Sequence, residues 1–232
     1  MKKKLFASLL VGSAVVGASL APLSAQAVTT GNTPVQVEFE GGTLQDQGDD
    51  TGPIVDPDPT QPNTNFDLLA IPKIFDFSPV KIGEDITAIR PISTAPKSIM
   101  VGDVRGTKEG WHVTGEVAGM TNGTDTLDGQ ITFGMTPYYA IFNESTSSYG
   151  GFNTLNGMNI ANDPTAPSFN GASLKIGGGA AALINAPLGK GQGTWSGRLD
   201  NLTLNVTTPM QELKKGAYTG NVTWNLVAGP SI

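Results

Sequence analysis

The chain has 232 residues, one histidine, no cysteine and a formal net charge of −6. The lack of cysteine excludes thiol catalysis and a disulfide framework, and an acidic chain without a basic cluster is a poor binder of nucleic acid or anionic lipid. Gly is abundant at 30 residues while charged residues make up only 15%, which is typical of short strands joined by tight turns.

Residues 1–27 have the features of a signal peptide. Lys2–Lys4 supply positive charge, Leu5–Leu20 is apolar, and Ala25–Ala27 is a small-x-small cleavage site. We therefore expect a secreted mature chain that begins at Val28. We see no membrane span in that mature chain and no sortase-type anchor sequence after its last strand, so we expect any retention at the cell surface to depend on the folded protein.

The next two segments differ in character. Residues 28–44 are predicted to form an N-terminal strand segment, because Val35, Val37 and Phe39 alternate with polar residues. Residues 45–65 are predicted to be a disordered, acidic, Pro-rich linker, since they contain few large apolar side chains. Such a linker would let the early strand pair with the main domain or with another protein.

Residues 66–232 are predicted to form one all-β domain, a β-sandwich or barrel-like sandwich with long loops. Pro72 indicates an edge strand or a bend in the first strand, and the stretch 134–187 is predicted to be mostly loop, with short helical turns near residues 138–142. The predicted strands are Phe66–Phe77, Ile86–Ile92, Ser98–Val104, Trp111–Val117, Leu127–Phe133, Leu202–Val206 and Tyr218–Val227.

Two of these strands carry a similar motif, Gly110-Trp111-His112-Val113 and Thr223-Trp224-Asn225-Leu226. The first follows Asp103-Val104-Arg105-Gly106, and the second follows Tyr218-Thr219-Gly220 and precedes Pro230. In this order the motifs resemble those of the WxL-domain surface proteins of low-GC Gram-positive bacteria. Two departures are Val113 in place of Leu and Val222 where Leu is common. The resemblance implies non-covalent attachment to peptidoglycan, with other WxL-operon surface proteins as partners.

The phase of the strands predicts where the signature side chains point. Trp111 shares a strand face with Val113, and Trp224 shares one with Leu226, so both indoles are expected mainly in the core. The alternative is that the indoles stack on glycan sugars. Trp195, among small polar residues, is expected to be the most exposed tryptophan and a candidate binding residue.

The remaining candidate binding residues are Asp103 and Arg105, whose two-residue spacing favours a structural ion pair over a ligand clamp. We predict no enzyme, no metal site and no cofactor, because His112 is the single imidazole. A glycan hydrolase is the least favoured alternative, and a protein–protein interaction subunit is the second. Carboxylates available for hydrolysis are Asp103, Glu109, Glu116, Asp125 and Asp128. The wall-facing surface is expected to consist of loops and polar outer faces.

Overall fold

The computed structural model describes residues 32–48 and 52–230, so the predicted signal peptide lies outside the described residues. Residues from Phe39 onward belong to one compact unit. Two short 3-10 helices, Ile160–Asn162 and Met210–Glu212, accompany the strands. The strands are β1 (Ile54–Val55), β2 (Phe66–Pro72), β3 (Lys97–Asp103), β4 (Trp111–Val117), β5 (Thr121–Asn122), β6 (Asp125–Thr126), β7 (Gly129–Asn143), β8 (Ser148–Phe152), β9 (Thr154–Leu155), β10 (Met158–Asn159), β11 (Ser168–Phe169), β12 (Ala172–Lys175), β13 (Ala181–Ala186), β14 (Gly193–Val206) and β15 (Val222–Ala228).

The strands form two main sheets. The larger sheet has the order β1-β2-β3-β14-β7-β12, with β8 also paired to β7, and the smaller sheet has the order β11-β13-β4-β15. Every pair between these strands is antiparallel. The all-β sandwich prediction is confirmed, and the sheets do not close into a barrel.

The main core lies between the two sheets. In β4, buried residues alternate with half-buried ones, so that Trp111, Val113 and Val117 face inward. The larger sheet contributes side chains such as Ile99 and Leu204 to the same cluster. Fully burying one large aliphatic side chain stabilises a fold by roughly 1.5–3 kcal/mol, so this alternation is sufficient to fix which face of each strand points inward.

A second, smaller core includes some residues of the predicted linker and of the segment before it. Residues 42–48, which we call the N-terminal strap, pack on the larger sheet, and Leu44 is 5% exposed. Leu44 fits because Gly102 has no side chain: a Cβ there would lie 2.5 Å from Leu44 Cδ2. Further along the predicted linker, Ile54 is buried and β1 pairs with β2. Four described linker residues, Gln47, Ile54, Asp56 and Asn63, are therefore buried, while most of the others are exposed. Local composition does not reveal a groove formed by distant strands.

Hydrogen bonds also hold the strap in place. The Gly42 amide donates to the Val104 carbonyl. The Gln47 side chain donates to the Leu69 carbonyl, and its oxygen accepts from the Tyr149 amide. The Tyr149 hydroxyl donates to the Gln45 carbonyl. These contacts satisfy polar groups that burial would otherwise leave without a partner.

Two predicted strands are wrong. Val35–Phe39 forms no strand, and its three apolar side chains are exposed; an alternating pattern favours a strand but cannot supply the neighbour that a strand needs. The segment 86–92 is likewise outside the named strands, and it forms two isolated bridges, Ile89 with Leu204 and Pro91 with Phe77. Alternation therefore predicted extended chain at these positions but not its pairing.

The middle of the chain contains more strand than predicted. The helical turns predicted near residues 138–142 are absent, because β7 runs through this region to Asn143. Pro137 lies inside this strand and pairs with Gly197 of β14. On the other edge of β7, β12 pairs with residues 130–133 and β8 with residues 139–143. Pro137 therefore lies where β7 has one neighbour, a position that tolerates a missing N–H.

Candidate functional site

The two signature motifs lie side by side. Strand β15 pairs with β4, so that Leu226 is opposite Val113 and Trp224 is opposite Gly115. A Cβ at Gly115 would lie 3.0 Å from the Trp224 ring, which shows how closely the indole covers this position. The two segments, far apart in the sequence, thus form one continuous surface of the smaller sheet.

The three tryptophans differ in exposure. Trp111 is fully buried, and Trp195 is only 3% exposed, so the expectation that Trp195 would be the most exposed is wrong. Trp224 is half-buried and packs edge-on against Phe75, with ring centroids 6.1 Å apart. The most accessible indole is therefore the one on edge strand β15.

Trp111 and Trp195 are buried because one backbone group satisfies both indoles. Each indole N–H donates to the Gly191 carbonyl oxygen at 2.9 Å. Gly191 has φ +79°, and a Cβ there would lie 2.6 Å from Trp111 Nε1. The Gly-rich run 189–193 was a signal for this turn, although sequence alone could not show which side chains it receives.

Tyr139 completes this cluster and was not singled out from the sequence. Its ring lies 5.4 Å from that of Trp195, and its hydroxyl donates to Asp163 Oδ2 at 2.8 Å. Burial, followed by the hydrogen bond to Asp163, raises the pKa of Tyr139 to about 12. Burial acts to raise the pKa of Asp163, but hydrogen bonds from Thr165 and Tyr139 lower it on balance. The pair therefore combines a neutral phenol with an ionised carboxylate.

Asp103 and Arg105 form a buried ion pair. Arg105 Nε and Nη2 each lie 2.9 Å from an Asp103 carboxylate oxygen, and Asp103 is 1% exposed. The guanidinium also contacts Glu109 and lies 3.7 Å from the centroid of the Phe66 ring. The hydrogen bond to Asp103, with burial opposing it, raises the pKa of Arg105. The arrangement connects the end of β3 to the start of β4.

Opposite the core, β4 and β15 present a surface that we call the polar face: His112, Thr114 and Glu116 on β4, with Thr223 and Asn225 on β15. Thr114 pairs with Asn225 and Glu116 with Thr223. The β15 residues are exposed and the β4 residues half-buried. His112 Nδ1 lies 2.8 Å from the Gly229 carbonyl oxygen. Hydroxyl, amide and carboxylate groups of this kind can bind sugar hydroxyls and peptide amides.

Two clefts flank Trp224 on the inner side of β15. One, of about 200 Å³, is lined mainly by apolar residues that include Phe75, Phe77 and Ile131. The other, of about 330 Å³, includes Asp56 and Asp67. Burial raises the pKa of Asp56, and the hydrogen bond from the Asp58 amide opposes this rise without cancelling it. The sandwich is thus incompletely filled at its β15 edge.

The carboxylates considered for hydrolysis are mostly engaged elsewhere. Asp103 and Glu109 contact Arg105, and Asp125 Oδ2 lies 3.0 Å from Lys214 Nζ. Within residues 32–48 and 52–230, no group of three His, Cys, Asp or Glu side chains is placed to hold a metal ion. In the same ranges, no helix has the length and apolar character needed to cross a membrane.

Comparison with known proteins identifies the family. A family model described as "WxL domain surface cell wall-binding" matches residues 26–230. No curated protein and no solved structure matches the chain. The match confirms the resemblance seen in the two tryptophan motifs and covers nearly the whole chain, including the N-terminal strap. It is a family of cell wall-binding domains at the cell surface and not a family of enzymes. The chain therefore belongs to the WxL family.

Proposed function

We propose that this chain holds non-covalently to peptidoglycan and has no catalytic role. The observation that carries the proposal is the family match over residues 26–230, which describes a surface domain that binds the cell wall. Because the N-terminal strap packs on the larger sheet, we include the strap in the proposed wall-binding unit. The signal peptide expected from the sequence agrees with this proposal, because secretion would bring the chain to the wall that the unit binds.

The polar face is the proposed contact with the wall. Two of the three indoles are buried, so they support the fold and do not reach a glycan. The polar face lies directly behind the signature residues on the same two strands, and Thr223 and Asn225 are exposed. Their hydroxyl and amide groups can form the hydrogen bonds that a neutral glycan or a stem peptide offers.

A sedimentation assay tests this proposal. The mature chain should sediment with peptidoglycan that has been stripped of proteins and anionic polymers. The double variant Thr223→Ala, Asn225→Ala should be retained at least several-fold less, because it loses exposed hydrogen-bonding groups without altering the core. The double variant Thr107→Ala, Asn153→Ala removes the same groups from exposed positions elsewhere and should bind as the parent chain does.

Each alternative predicts a different result in the same assay. Equal retention of both double variants would remove the polar face as the contact. Retention on native walls but not on stripped peptidoglycan would favour other wall proteins, such as those of WxL operons, as the partners. Release of soluble muropeptides during the incubation would contradict the absence of catalysis.

A further inference from the structure

The smaller sheet is open at strand β15. This sheet has four strands, whereas the larger one has six along its main path, and β15 is an edge strand. Trp111, Val113 and Val117 of β4 are at most 1% exposed. The inner-face residues of β15, Val222, Trp224 and Leu226, are only half-buried. The core is therefore covered beneath β4 and incompletely covered beneath the edge.

Both clefts are lined by Trp224, an inner-face residue of the edge strand. Side chains of an added strand would point alternately inward and outward, with the inward ones at every second residue. The clefts, of about 200 Å³ and 330 Å³, lie on either side of the Trp224 indole. An added strand would also form hydrogen bonds with the main-chain groups along the free edge of β15.

Residues 35–39 carry exposed apolar side chains that pairing with a sheet would cover. Val35, Val37 and Phe39 are 93%, 72% and 88% exposed, and they alternate with Gln36 and Glu38. This is the pattern of a strand with one apolar face, but among the described residues it pairs with no strand. Three large apolar side chains so exposed at alternate positions indicate a segment that lacks its partner.

We propose that Val35–Phe39 of one molecule adds as a strand to β15 of a second copy of the chain. Val35, Val37 and Phe39 would enter the clefts beside Trp224, while Gln36 and Glu38 would lie outward with Thr223 and Asn225. Edge strands recruit extended segments in this way through main-chain hydrogen bonds and alternate side-chain pockets. Since donor and acceptor are different surfaces, the contact is heterologous and can extend from dimers to longer assemblies.

A pair of variants with equal charge tests the donor segment. Mass in solution is measured by light scattering across a concentration series of the mature chain, without any wall material, so that the result is independent of peptidoglycan binding. Val37→Asp places a charge on the inward side and should raise the apparent dissociation constant at least tenfold. Gln36→Asp adds the same charge on the outward side and should change it little. A monomeric parent chain, or equal effects of the two variants, would overturn the proposal.

Cross-linking tests the acceptor edge and the intermolecular nature of the contact. A photoreactive side chain is placed at position 37, and chains labelled with ¹⁴N and ¹⁵N are mixed. The proposal requires cross-links from position 37 to residues 222–228 that join a light chain to a heavy one. Cross-links confined to single chains, or cross-links to other strands, would overturn it.

Discussion

The two signature tryptophans occupy unlike surroundings although their motifs are alike. Trp111 lies on β4, between β13 and β15, and its indole N–H is bonded to Gly191 in a fully buried site. Trp224 lies on β15, at the edge of the same sheet, and has a cleft on either side. The same motif can therefore anchor a core or line an opening, depending on how many strands flank it.

Truncation of the two indoles should give the largest contrast. Trp111→Ala should lower the free energy of unfolding by about 3–5 kcal/mol, because it leaves a cavity and removes one of the two indole hydrogen bonds to the Gly191 carbonyl oxygen. Trp224→Ala should cost about half as much, since its indole is already partly in water. Denaturant unfolding measures both values. Equal losses would mean that the edge is as closed as the centre.

Substitution at Gly191 tests how tightly the centre is packed. Gly191→Ala adds a Cβ that would lie 2.6 Å from Trp111 Nε1, whereas Gly189→Ala, with a similar φ, points into open space. Both changes carry the cost of a positive φ, so their difference reports the clash alone. We expect Gly191→Ala to be less stable than Gly189→Ala by about 1–3 kcal/mol. Similar values would show that the turn can move away from the indoles.

Alkaline pH should destabilise the fold through the ionisation of Tyr139, which packs on Trp195. The pKa of Tyr139 is raised by burial and by Asp163 to about 12, so the folded state favours the protonated phenol. The contribution of the protonated phenol to the free energy of unfolding is complete below the unfolded-state pKa of about 10, and it is lost as pH rises toward 12. The chain should lose stability over this range more steeply than Tyr139→Phe, in unfolding measured at each pH. Tyr149, whose pKa burial also raises, titrates in both proteins. Parallel profiles would contradict this role of Tyr139.

Fluorescence quenching should reveal the same contrast through the solvent exposure of each indole instead of its contribution to stability. In single-tryptophan variants made with Phe at the other two positions, acrylamide should quench Trp224 more strongly than Trp111 or Trp195. The reason is that Trp224 alone among the three is half-buried, while the other two are at most 3% exposed. Retained cooperative unfolding is the control for each variant. Strong quenching of Trp195 would place it at the surface after all.

Alternation predicted β4 well, because one face of this strand is buried and the other is only half-buried. The predicted range Trp111–Val117 coincides with β4, and its side-chain period of two is a local property that the sequence displays directly. The prediction Ser98–Val104 differs from β3 by one residue at each end, but β3 is buried at every position, so alternation does not account for it. The ion pair favoured for Asp103 and Arg105 is also present in the structure, although Arg105 lies in a bend after β3 and not on the strand.

Features that depend on distant residues could not be predicted in this way. Trp195 is surrounded in sequence by small polar residues, yet it is buried because the Gly191 turn and the Tyr139 ring meet it. The N-terminal strap is packed because Gly102 makes room for Leu44. In each case the decisive partner is a backbone group or an absent side chain, neither of which appears in a pattern of polar and apolar residues.

The long pairing between β14 and its neighbours has a consequence for folding kinetics. In the larger sheet β14 lies between β3 and β7, with Ser98 opposite Arg198 and Tyr139 opposite Trp195. The chain between the two members of each pair must close into a long loop before the contact forms. We therefore expect the sheet to fold slowly compared with a protein of local hairpins. Until residues 193–206 have been made, β3 and β7 have no common neighbour in the larger sheet.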